Sequence, residues 1–263
     1  MMNHEQYIQT IVSGTEAYFR AFALADRMSH QQGAIEWVAP LPGGKGPALV
    51  FKVSLSDSAE EAIEKLIPEL QDGKVPSIWV LSPLTNPKIF NLLAEKGFAG
   101  GPDSSEWGMA MEMKTLADLP APNPLVEVKK VISLTDFQVW MDVVNTALHG
   151  WDMLTIEHYS AWLVREEFAF YLGYIDGVPV STVATIRNGN SAGVEFVSTL
   201  REYHGRGAGY TVCLRALHDL QATHIETATL IAFADGVKLY EKLGFRKYYN
   251  QVMYSFRKVD QPA

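Results

Sequence analysis

Cysteine is almost absent from this chain. Cys213 is the single cysteine among 263 residues, so no disulfide can form within the chain and no cysteine-based metal cluster can be built. Histidine, aspartate and glutamate do not recur at the spacings of metal ligands, and the sequence therefore predicts no metal site. Cys213 shares the apolar face of a predicted helix with Leu217 and Leu220, which favours packing over a nucleophilic role.

Long apolar runs and basic clusters are missing as well. No apolar run approaches the roughly 20 residues of a membrane-spanning helix, and the first residues lack the charged and apolar regions of a signal peptide. The formal net charge of −8 disfavours nonspecific binding to nucleic acid. We therefore expect a soluble, cytoplasmic protein with neither a membrane nor a nucleic acid as partner. The sequence leaves homodimer formation open.

One short segment contains a proline at every second position, namely Pro120, Pro122 and Pro124. Proline removes backbone donors and biases its neighbours towards extended conformations, which suits a stiff linker. The chain is long enough for two domains. We predict a first domain over residues 1–118, a linker over 119–125 and a second domain over 126–263.

The second half alternates strands and helices in the order expected for an α/β (α+β) fold with a mixed sheet. Apolar β-branched runs predict strands, and a 3.6-residue apolar period predicts helices. Asp176-Gly177 is a favoured two-residue hairpin turn. The predicted strands are 126–131, 168–175, 178–186, 192–200, 226–233 and 247–256, and the predicted helices are 135–148, 156–165, 208–220 and 235–243.

A similar alternation fills the first half. An apolar stripe predicts a helix over residues 5–28, and Asn86-Pro87 is expected to begin another. The glycine-rich loop 42–47 lies between predicted strands at 35–38 and 48–55. It lacks the spacing of a P-loop, and we interpret it as a flexible hairpin connection. Two further strands are predicted at 77–81 and 107–113.

The most informative stretch joins a strand to a helix through a basic, glycine-dense turn. Residues 204–209 read His-Gly-Arg-Gly-Ala-Gly, after a strand and at the start of the helix that begins near Ala208. Free backbone N–H groups, the helix dipole and Arg206 favour a phosphate at such a point. On its own the pattern is equally compatible with a glycine-rich connection that binds nothing. This segment is not followed, about 20 positions on, by the acidic residue that a dinucleotide-binding fingerprint requires. It also lacks the Lys-Ser/Thr that ends a P-loop.

Two motifs resemble the GNAT (Gcn5-related N-acetyltransferase) superfamily. The turn His204-Gly205-Arg206-Gly207-Ala208-Gly209 is similar to the family's motif A, Arg/Gln-x-x-Gly-x-Gly/Ala, with His204 at a position where Arg or Gln is usual. Leu239-Tyr240-Glu241-Lys242-Leu243-Gly244-Phe245 is similar to the family's ending Leu-Tyr-x-x-Leu-Gly-Phe. The resemblance covers essentially the whole second half and implies the GNAT fold there, with acetyl-CoA as co-substrate.

The resemblance also implies roles for individual residues. Tyr240 would lie near the sulfur of acetyl-CoA and protonate the leaving thiolate, although an aromatic core residue is the other interpretation. The family often has Asn where this chain has Phe233, so one cofactor contact looks missing. The residues implied to bind the cofactor are Val197, Ser198, Thr199, His204, Gly205, Arg206, Gly207, Ala208, Gly209 and Tyr210.

Glu195 is the candidate general base. It lies in an otherwise apolar strand, and a period of two places it on the same face as Val197. Burial of a carboxylate there would raise its pKa towards a useful range; an ion pair with a nearby Arg or Lys is the alternative. His149, Asp152 and His158 are candidates to line the acceptor pocket, although a surface position is the commoner explanation for such residues.

Residues 89–98 of the first half echo the ending of the second when Gly97-Phe98 is aligned with Gly244-Phe245. Leu93 then stands where Tyr240 stands, and no Gly-x-Gly turn opens a helix in the first half. We interpret this half as a GNAT-like domain that has lost its cofactor site, in a tandem arrangement. A helix followed by Gly-Phe is also a common ending, and that reading stays open.

Two classes of function follow from the sequence. The first is an N-acetyltransferase that moves an acetyl group from acetyl-CoA to a primary amine of a small molecule or peptide by direct transfer in a ternary complex. The second is a non-catalytic acyl-CoA-binding or protein-interaction module. The sequence does not size the acyl pocket, so an acyl donor other than acetyl-CoA is a further alternative, and the sequence does not identify the acceptor.

Overall fold

The computed structural model describes residues 2–54, 59–101 and 105–256, which form two mixed sheets and their covering helices. The helices are α1 (His4–Phe22), α2 (Ala59–Gln71), α3 (Pro87–Glu95), α4 (Leu134–Val144), α5 (Ile156–Tyr159), α6 (Ala208–Gln221) and α7 (Val237–Lys242). The strands are β1 (Met28–Gln31), β2 (Ile35–Pro40), β3 (Leu49–Val53), β4 (Ile78–Leu81), β5 (Phe98–Gly101), β6 (Trp107–Glu112), β7 (Glu127–Lys130), β8 (Phe168–Ile175), β9 (Val178–Asn188), β10 (Ser191–Thr199), β11 (Thr227–Ala232), β12 (Arg246–Asn250) and β13 (Val252–Phe256). None of the helices within the described ranges is both long and apolar enough to cross a bilayer.

Several helices end earlier than their apolar pattern predicts. Helix α1 begins at a capping box formed by Asn3 and Gln6 and ends at Phe22, not near residue 28. Arg27 has φ +56°, which a right-handed helix does not allow, and β1 follows at once. The predicted helix 135–148 ends as a π-helical turn, Asn145–His149, and the predicted helix 156–165 is one α-turn followed by a 3₁₀ turn.

The seven-stranded sheet has the order β12-β6-β11-β10-β9-β8-β7. Its strands pair antiparallel except for β10 and β11, which run parallel. Helix α6 packs on one face, and α1 and α4 cover the other. The hairpin of β8 and β9 turns at Asp176-Gly177, both with positive φ, as the sequence predicts.

The six-stranded sheet has the order β1-β2-β3-β4-β13-β5 and packs against α2 and α3. Its segment β3-α2-β4-α3-β5 has the same order as β10-α6-β11-α7-β12. The pairs β3/β4 and β10/β11 are both parallel. This correspondence supports a tandem repeat, with Leu93 fully buried at the position that corresponds to Tyr240.

The last strand of each repeat lies in the other repeat's sheet. Strand β6 lies between β11 and β12, and β13 lies between β4 and β5. The sequence predicts one closing strand over 247–256, but the chain breaks at Gln251 and its two parts enter different sheets. The division of the chain at 119–125 remains a prediction, and the sheets cross it.

Hydrogen bonds hold both the predicted linker, residues 119–125, and the predicted hairpin connection, residues 42–47. In the proline segment, the carbonyl of Pro120 accepts from the Tyr210 hydroxyl at 2.6 Å, and the side chain of Asn123 donates to the Arg206 carbonyl at 2.8 Å. Loop 42–47 is fixed through its carbonyls, because Tyr159 donates to Lys45 at 2.5 Å and His158 donates to Gly43 at 3.2 Å. The predicted flexible hairpin connection is thus attached to α5.

Candidate active site

Strands β10 and β11 separate after three paired residues. They pair in parallel from Ser191 to Gly193 and from Thr227 to Thr229, and then β10 continues to Thr199 without a register partner on β11. Backbone polar groups in a protein interior need partners. The open edge of β10 is therefore a place where an extended ligand can pair with the main chain.

A β-bulge interrupts β10 at this point. Glu195 pairs with Ala184 and Ser198 with Thr182, so two residues face one on β9. Phe196, the first of the two, has φ +51°, a conformation that costs a non-glycine residue roughly 1–3 kcal/mol. Such an outlier persists only where its surroundings enforce it.

Hydroxyl groups of β9 enforce the bulge. Thr182 donates to the carbonyl of Phe196 at 2.8 Å, and Ser181 donates to the carbonyl of Ser198 at 2.7 Å. The hydroxyls of Ser198 and Thr199 also bond to β9, at 2.6 and 2.9 Å. Of the three strand residues predicted to bind the cofactor, Ser198 and Thr199 thus have their hydroxyls engaged, and their carbonyls accept from Ser181 and His204. Val197 is the residue of the three whose side chain and carbonyl take part in no such bond with a described side chain.

The bulge corrects the prediction that Glu195 and Val197 share a face. Because one extra residue is inserted, the alternation of side chains shifts by one position. Phe196 packs into the aromatic core beneath α1 and α4, with ring centroids 5.4 Å from Trp140 and 5.9 Å from Trp162. Val197 packs on the opposite side, against the core that contains α6.

The glycine turn leaves the start of α6 open. Gly205 and Gly207 have φ of +74° and +78°, which L-residues rarely adopt. Gly207 is the N-cap of α6 and provides no side-chain cap. Within the described ranges, the N–H groups of Gly207, Ala208 and Gly209 have no protein acceptor. This arrangement fits an anion at the positive end of the helix dipole.

The side chains around this turn make contacts that the sequence did not predict. His204 donates from Nε2 to the carbonyl of Thr199 at 2.8 Å, so that nitrogen is used within the protein. The Tyr210 hydroxyl donates to the carbonyl of Pro120, so the backbone N–H of Tyr210 is the group with which this residue could bind a cofactor. Arg206 lies over the ring of Tyr203, at 5.2 Å from the centroid, and its half-exposed guanidinium is 3.9 Å from the carboxylate of the exposed Asp176. Arg206 is therefore the side chain best placed to meet an exposed phosphate.

Tyr240 lies on α7, and its neighbour Leu239 approaches Gly209 at the start of α6. Its ring is buried at 8% exposure and packs edge-on against Phe245 at 6.0 Å. Gly236 makes room for the ring, because a Cβ there would lie 3.0 Å from Cε2. Burial, and then Cys213, Glu195 and Asp235, raise the pKa of Tyr240 well above its usual value. The phenol therefore keeps its proton at neutral pH.

Glu195 has no counter-charge. No hydrogen bond or ion pair joins its carboxylate to another described residue, so the alternative of an ion pair with Arg or Lys is wrong for this part of the chain. Burial raises the pKa of Glu195 to about 8. Gly193 lies directly beside it, since a Cβ on Gly193 would be 2.7 Å from Oε1.

The remaining candidates differ in their surroundings. His158 is buried and bonds to Thr155 and to the carbonyl of Gly43, which indicates a structural role. His149 ends the π-helical turn, its Nε2 is buried without a partner, and burial lowers its pKa. Asp152 is exposed. Cys213 is fully buried, which raises the pKa of its thiol to about 12 and excludes a thiolate nucleophile at neutral pH.

Sequence reasoning missed Tyr18, whose ring centroid lies 5.5 Å from that of Phe196. In the sequence it is one apolar position on α1 among many, and nothing there links α1 to a strand nearly 180 residues away.

Comparison with known proteins agrees with this geometry. The family model described as Acetyltransferase (GNAT) family matches residues 136–245. No curated protein matches the chain.

Solved structures share the fold over nearly the whole chain. A GCN5-related N-acetyltransferase from Kribbella flavida is 17% identical, with a TM-score of 0.66 over 93% of this chain and 95% of that one. A tandem GNAT protein from the clavulanic acid biosynthesis pathway is 12% identical, with a TM-score of 0.61 over 97% and 96%. A GCN5-related N-acetyltransferase from Sphaerobacter thermophilus is 15% identical, with a TM-score of 0.57 over 87% and 82%. Residues 136–245 therefore match the family model described as Acetyltransferase (GNAT) family, and the chain as a whole has the fold of a tandem GNAT protein.

Proposed function

We propose that this chain transfers an acetyl group from acetyl-CoA to the primary amine of a small molecule by direct transfer in a ternary complex. The observation that carries the proposal is that β10 separates from β11 and leads into the turn that opens α6. Glu195 lies on this separated strand without a hydrogen bond to a described residue, and its charge acts on Tyr240.

The described residues fit acetyl-CoA as co-substrate. The backbone N–H groups of Gly207–Gly209 and the side chain of Arg206 would hold its diphosphate. The main chain of Val197, on the edge of β10 that β11 leaves, would pair with the extended pantetheine arm of acetyl-CoA. Acetyl-CoA supplies an activated acetyl group in the form of a thioester.

The acid and the base are two side chains whose pKa values are displaced by their surroundings. An amine arrives as an ammonium ion and must lose a proton before its nitrogen attacks. Glu195, with a pKa of about 8, accepts that proton in its ionised form, whose share grows as the pH approaches about 8. Tyr240 gives its proton to the sulfur that leaves as the C–N bond forms and the C–S bond breaks. The first half of the chain would then be the repeat without a cofactor site.

Steady-state turnover tests the proposal, with acetyl-CoA and a panel of primary amines and with release of free CoA as the signal. We expect the Tyr240→Phe variant to lower kcat about 100-fold, because it removes a general acid, while KM for acetyl-CoA stays within twofold. Tyr254→Phe is the matched control, since Tyr254 lies on β13 in the other sheet. Its kcat should equal that of the wild type.

Three results would contradict parts of the proposal. Full activity of the Tyr240→Phe variant would show that Tyr240 is not the general acid. Tight binding of acetyl-CoA by the wild type without turnover of any amine would favour the alternative function, a non-catalytic acyl-CoA-binding module. Turnover of a longer acyl-CoA in preference to acetyl-CoA would show that acetyl-CoA is not the acyl donor.

A further inference from the structure

Helix α1 of the first half lies directly over the separated strands of the second half. Gly14 allows this approach, because a Cβ at that position would lie 2.5 Å from Oγ1 of Thr229 on β11. One turn further along, Tyr18 projects from α1 to the bulge of β10, where its ring packs edge-on against Phe196. The first half therefore contributes a side chain at the residue next to Glu195.

The hydroxyl of Tyr18 and the carboxylate of Glu195 are electrostatically coupled. Burial, then the charge of Glu195, then Tyr159, raise the pKa of Tyr18 well above its usual value. The charge of Glu195 acts on Tyr240 in the same direction. Neither phenol donates a hydrogen bond to another described residue. Both hydroxyls thus lie within electrostatic range of Glu195, and neither they nor its carboxylate form a hydrogen bond with a described residue.

The first half also contacts α5 close to Tyr18. Tyr159, whose side chain is fully buried, donates its hydroxyl to the carbonyl of Lys45. Gly46 fits against that hydroxyl, since a Cβ there would lie 2.7 Å from it, and Phe22 of α1 packs edge-on against the ring of Tyr159 at 6.1 Å. Because α1 and loop 42–47 both cover this side, we expect a small acceptor to be favoured over a lysine on a folded protein.

The surroundings of Glu195 hold no cation within the described part of the chain. No Lys or Arg there contributes to the electrostatic surroundings of Glu195, Tyr18 or Tyr240. Glu195 must be ionised to act as a base, and in that form it attracts an ammonium group. A carboxylate bonded to the adjacent carbon would be repelled by the ionised Glu195 and would find no positive partner among the described residues.

We propose that the first half of the chain completes the acceptor site through Tyr18, which binds the acceptor nitrogen beside Glu195, and that the acceptor is a small primary amine with no carboxylate on the adjacent carbon. This inference rests on the proposed acetyl transfer. It assigns to the repeat without a cofactor site the task of selecting the acceptor.

Matched pairs of an amine and its α-amino acid test the acceptor class. The pairs are 2-phenylethylamine and phenylalanine, tryptamine and tryptophan, histamine and histidine, and agmatine and arginine. We expect kcat/KM for the amine to exceed that for the amino acid at least 100-fold in every pair that reacts. Preference for the amino acids would overturn the acceptor class. Reaction with none of the eight compounds would instead contradict the proposed function itself.

The Tyr18→Phe variant tests the role of the first half. It retains the ring that packs on Phe196 and removes only the hydroxyl, so we expect KM for the best amine to rise about tenfold, the loss typical of a hydrogen bond to a charged group. The kcat value and KM for acetyl-CoA should stay within twofold. Tyr7→Phe is the control on the same helix, because the Tyr7 hydroxyl bonds to Glu112. An unchanged amine KM in Tyr18→Phe would overturn the inference while acetyl transfer stands.

Discussion

At the scale of single residues, Glu195 is half-buried and has no counter-charge among the residues that the structure describes. Burial without a counter-charge costs the ionised carboxylate stability and therefore raises its pKa. Residues in such surroundings cluster at functional sites. The neighbouring Gly193 leaves just enough room for the carboxylate, which indicates that the position of Glu195 is determined by the strand itself.

The pH dependence of turnover follows from the pKa of Glu195, which is about 8. Only the carboxylate form accepts a proton, so we expect kcat/KM for the amine to rise as pH increases from 6 and to level off above about 8. Glu195→Gln should lower kcat about 100-fold and abolish this rise. A profile with the same inflection in Glu195→Gln would assign the titration to another group.

Stability provides an independent measurement of the same pKa. Between the ordinary pKa of a glutamate and about 8, the folded protein retains a proton that the unfolded chain has released. Its contribution to the free energy of unfolding is therefore complete below the ordinary value and is lost as pH rises through about 8. The Glu195→Gln variant should lose less thermal stability than the wild type between pH 5 and pH 9. Equal losses in calorimetry would contradict the raised pKa.

At the scale of elements, the glycine turn and α6 work as a unit. Gly207 has φ +78° and caps the helix with its backbone alone. Gly207→Ala should destabilise the fold by about 1 kcal/mol through strain and should raise KM for acetyl-CoA severalfold, because the N–H groups would no longer converge. Gly189→Ala is the control, since Gly189 also has positive φ, at +63°, and a Cβ there would meet nothing.

The control variant should lose similar stability and keep its KM for acetyl-CoA. Equal KM values in the two variants would contradict a cofactor role for the turn. Chemical denaturation measures the stability of both variants, and steady-state kinetics measure their KM for acetyl-CoA.

The elements differ in how far the sequence could predict them. The turn at 204–209 and the hairpin at Asp176-Gly177 were predictable, because glycine spacing reports local backbone conformation directly. The bulge at Phe196 was not predictable. Apolar residues occur on both faces of β10, so the sequence does not reveal where the alternation of side chains between the faces shifts by one position. The position of Tyr18 was not predictable either, since its partners on β10 are distant in the chain. The open edge of β10 depends on how β11 diverges, which no local pattern encodes.

At the scale of the whole molecule, the two sheets depend on one another. Besides the exchanged strands, α1 joins them, because Arg20 forms a hydrogen-bonded ion pair with Glu36 of β2 at 2.7 Å and Lys52 pairs with Glu16 at 2.9 Å. The sequence could not predict this exchange. The apolar pattern of Trp107–Glu112 identifies a strand but not its neighbours.

A substitution in β13 should therefore weaken both sheets. Tyr254 is buried at 6% exposure in the six-stranded sheet, and Tyr254→Ala should cost about 3 kcal/mol. We expect amide hydrogen exchange to accelerate by a similar factor in β4 and in β9, which lie in different sheets. Loss of protection confined to β4 and its neighbours would contradict mutual dependence.

The place of β13 also sets an order for events during protein synthesis. Strands β4 and β5 leave the ribosome about 150 residues before the strand that joins them, an interval on the order of ten seconds at ordinary elongation rates. Throughout that time each presents an unpaired edge, which is a template for aggregation. We therefore expect this polypeptide to depend most on a chaperone during the period of synthesis in which the first half is complete and β13 has not yet been made.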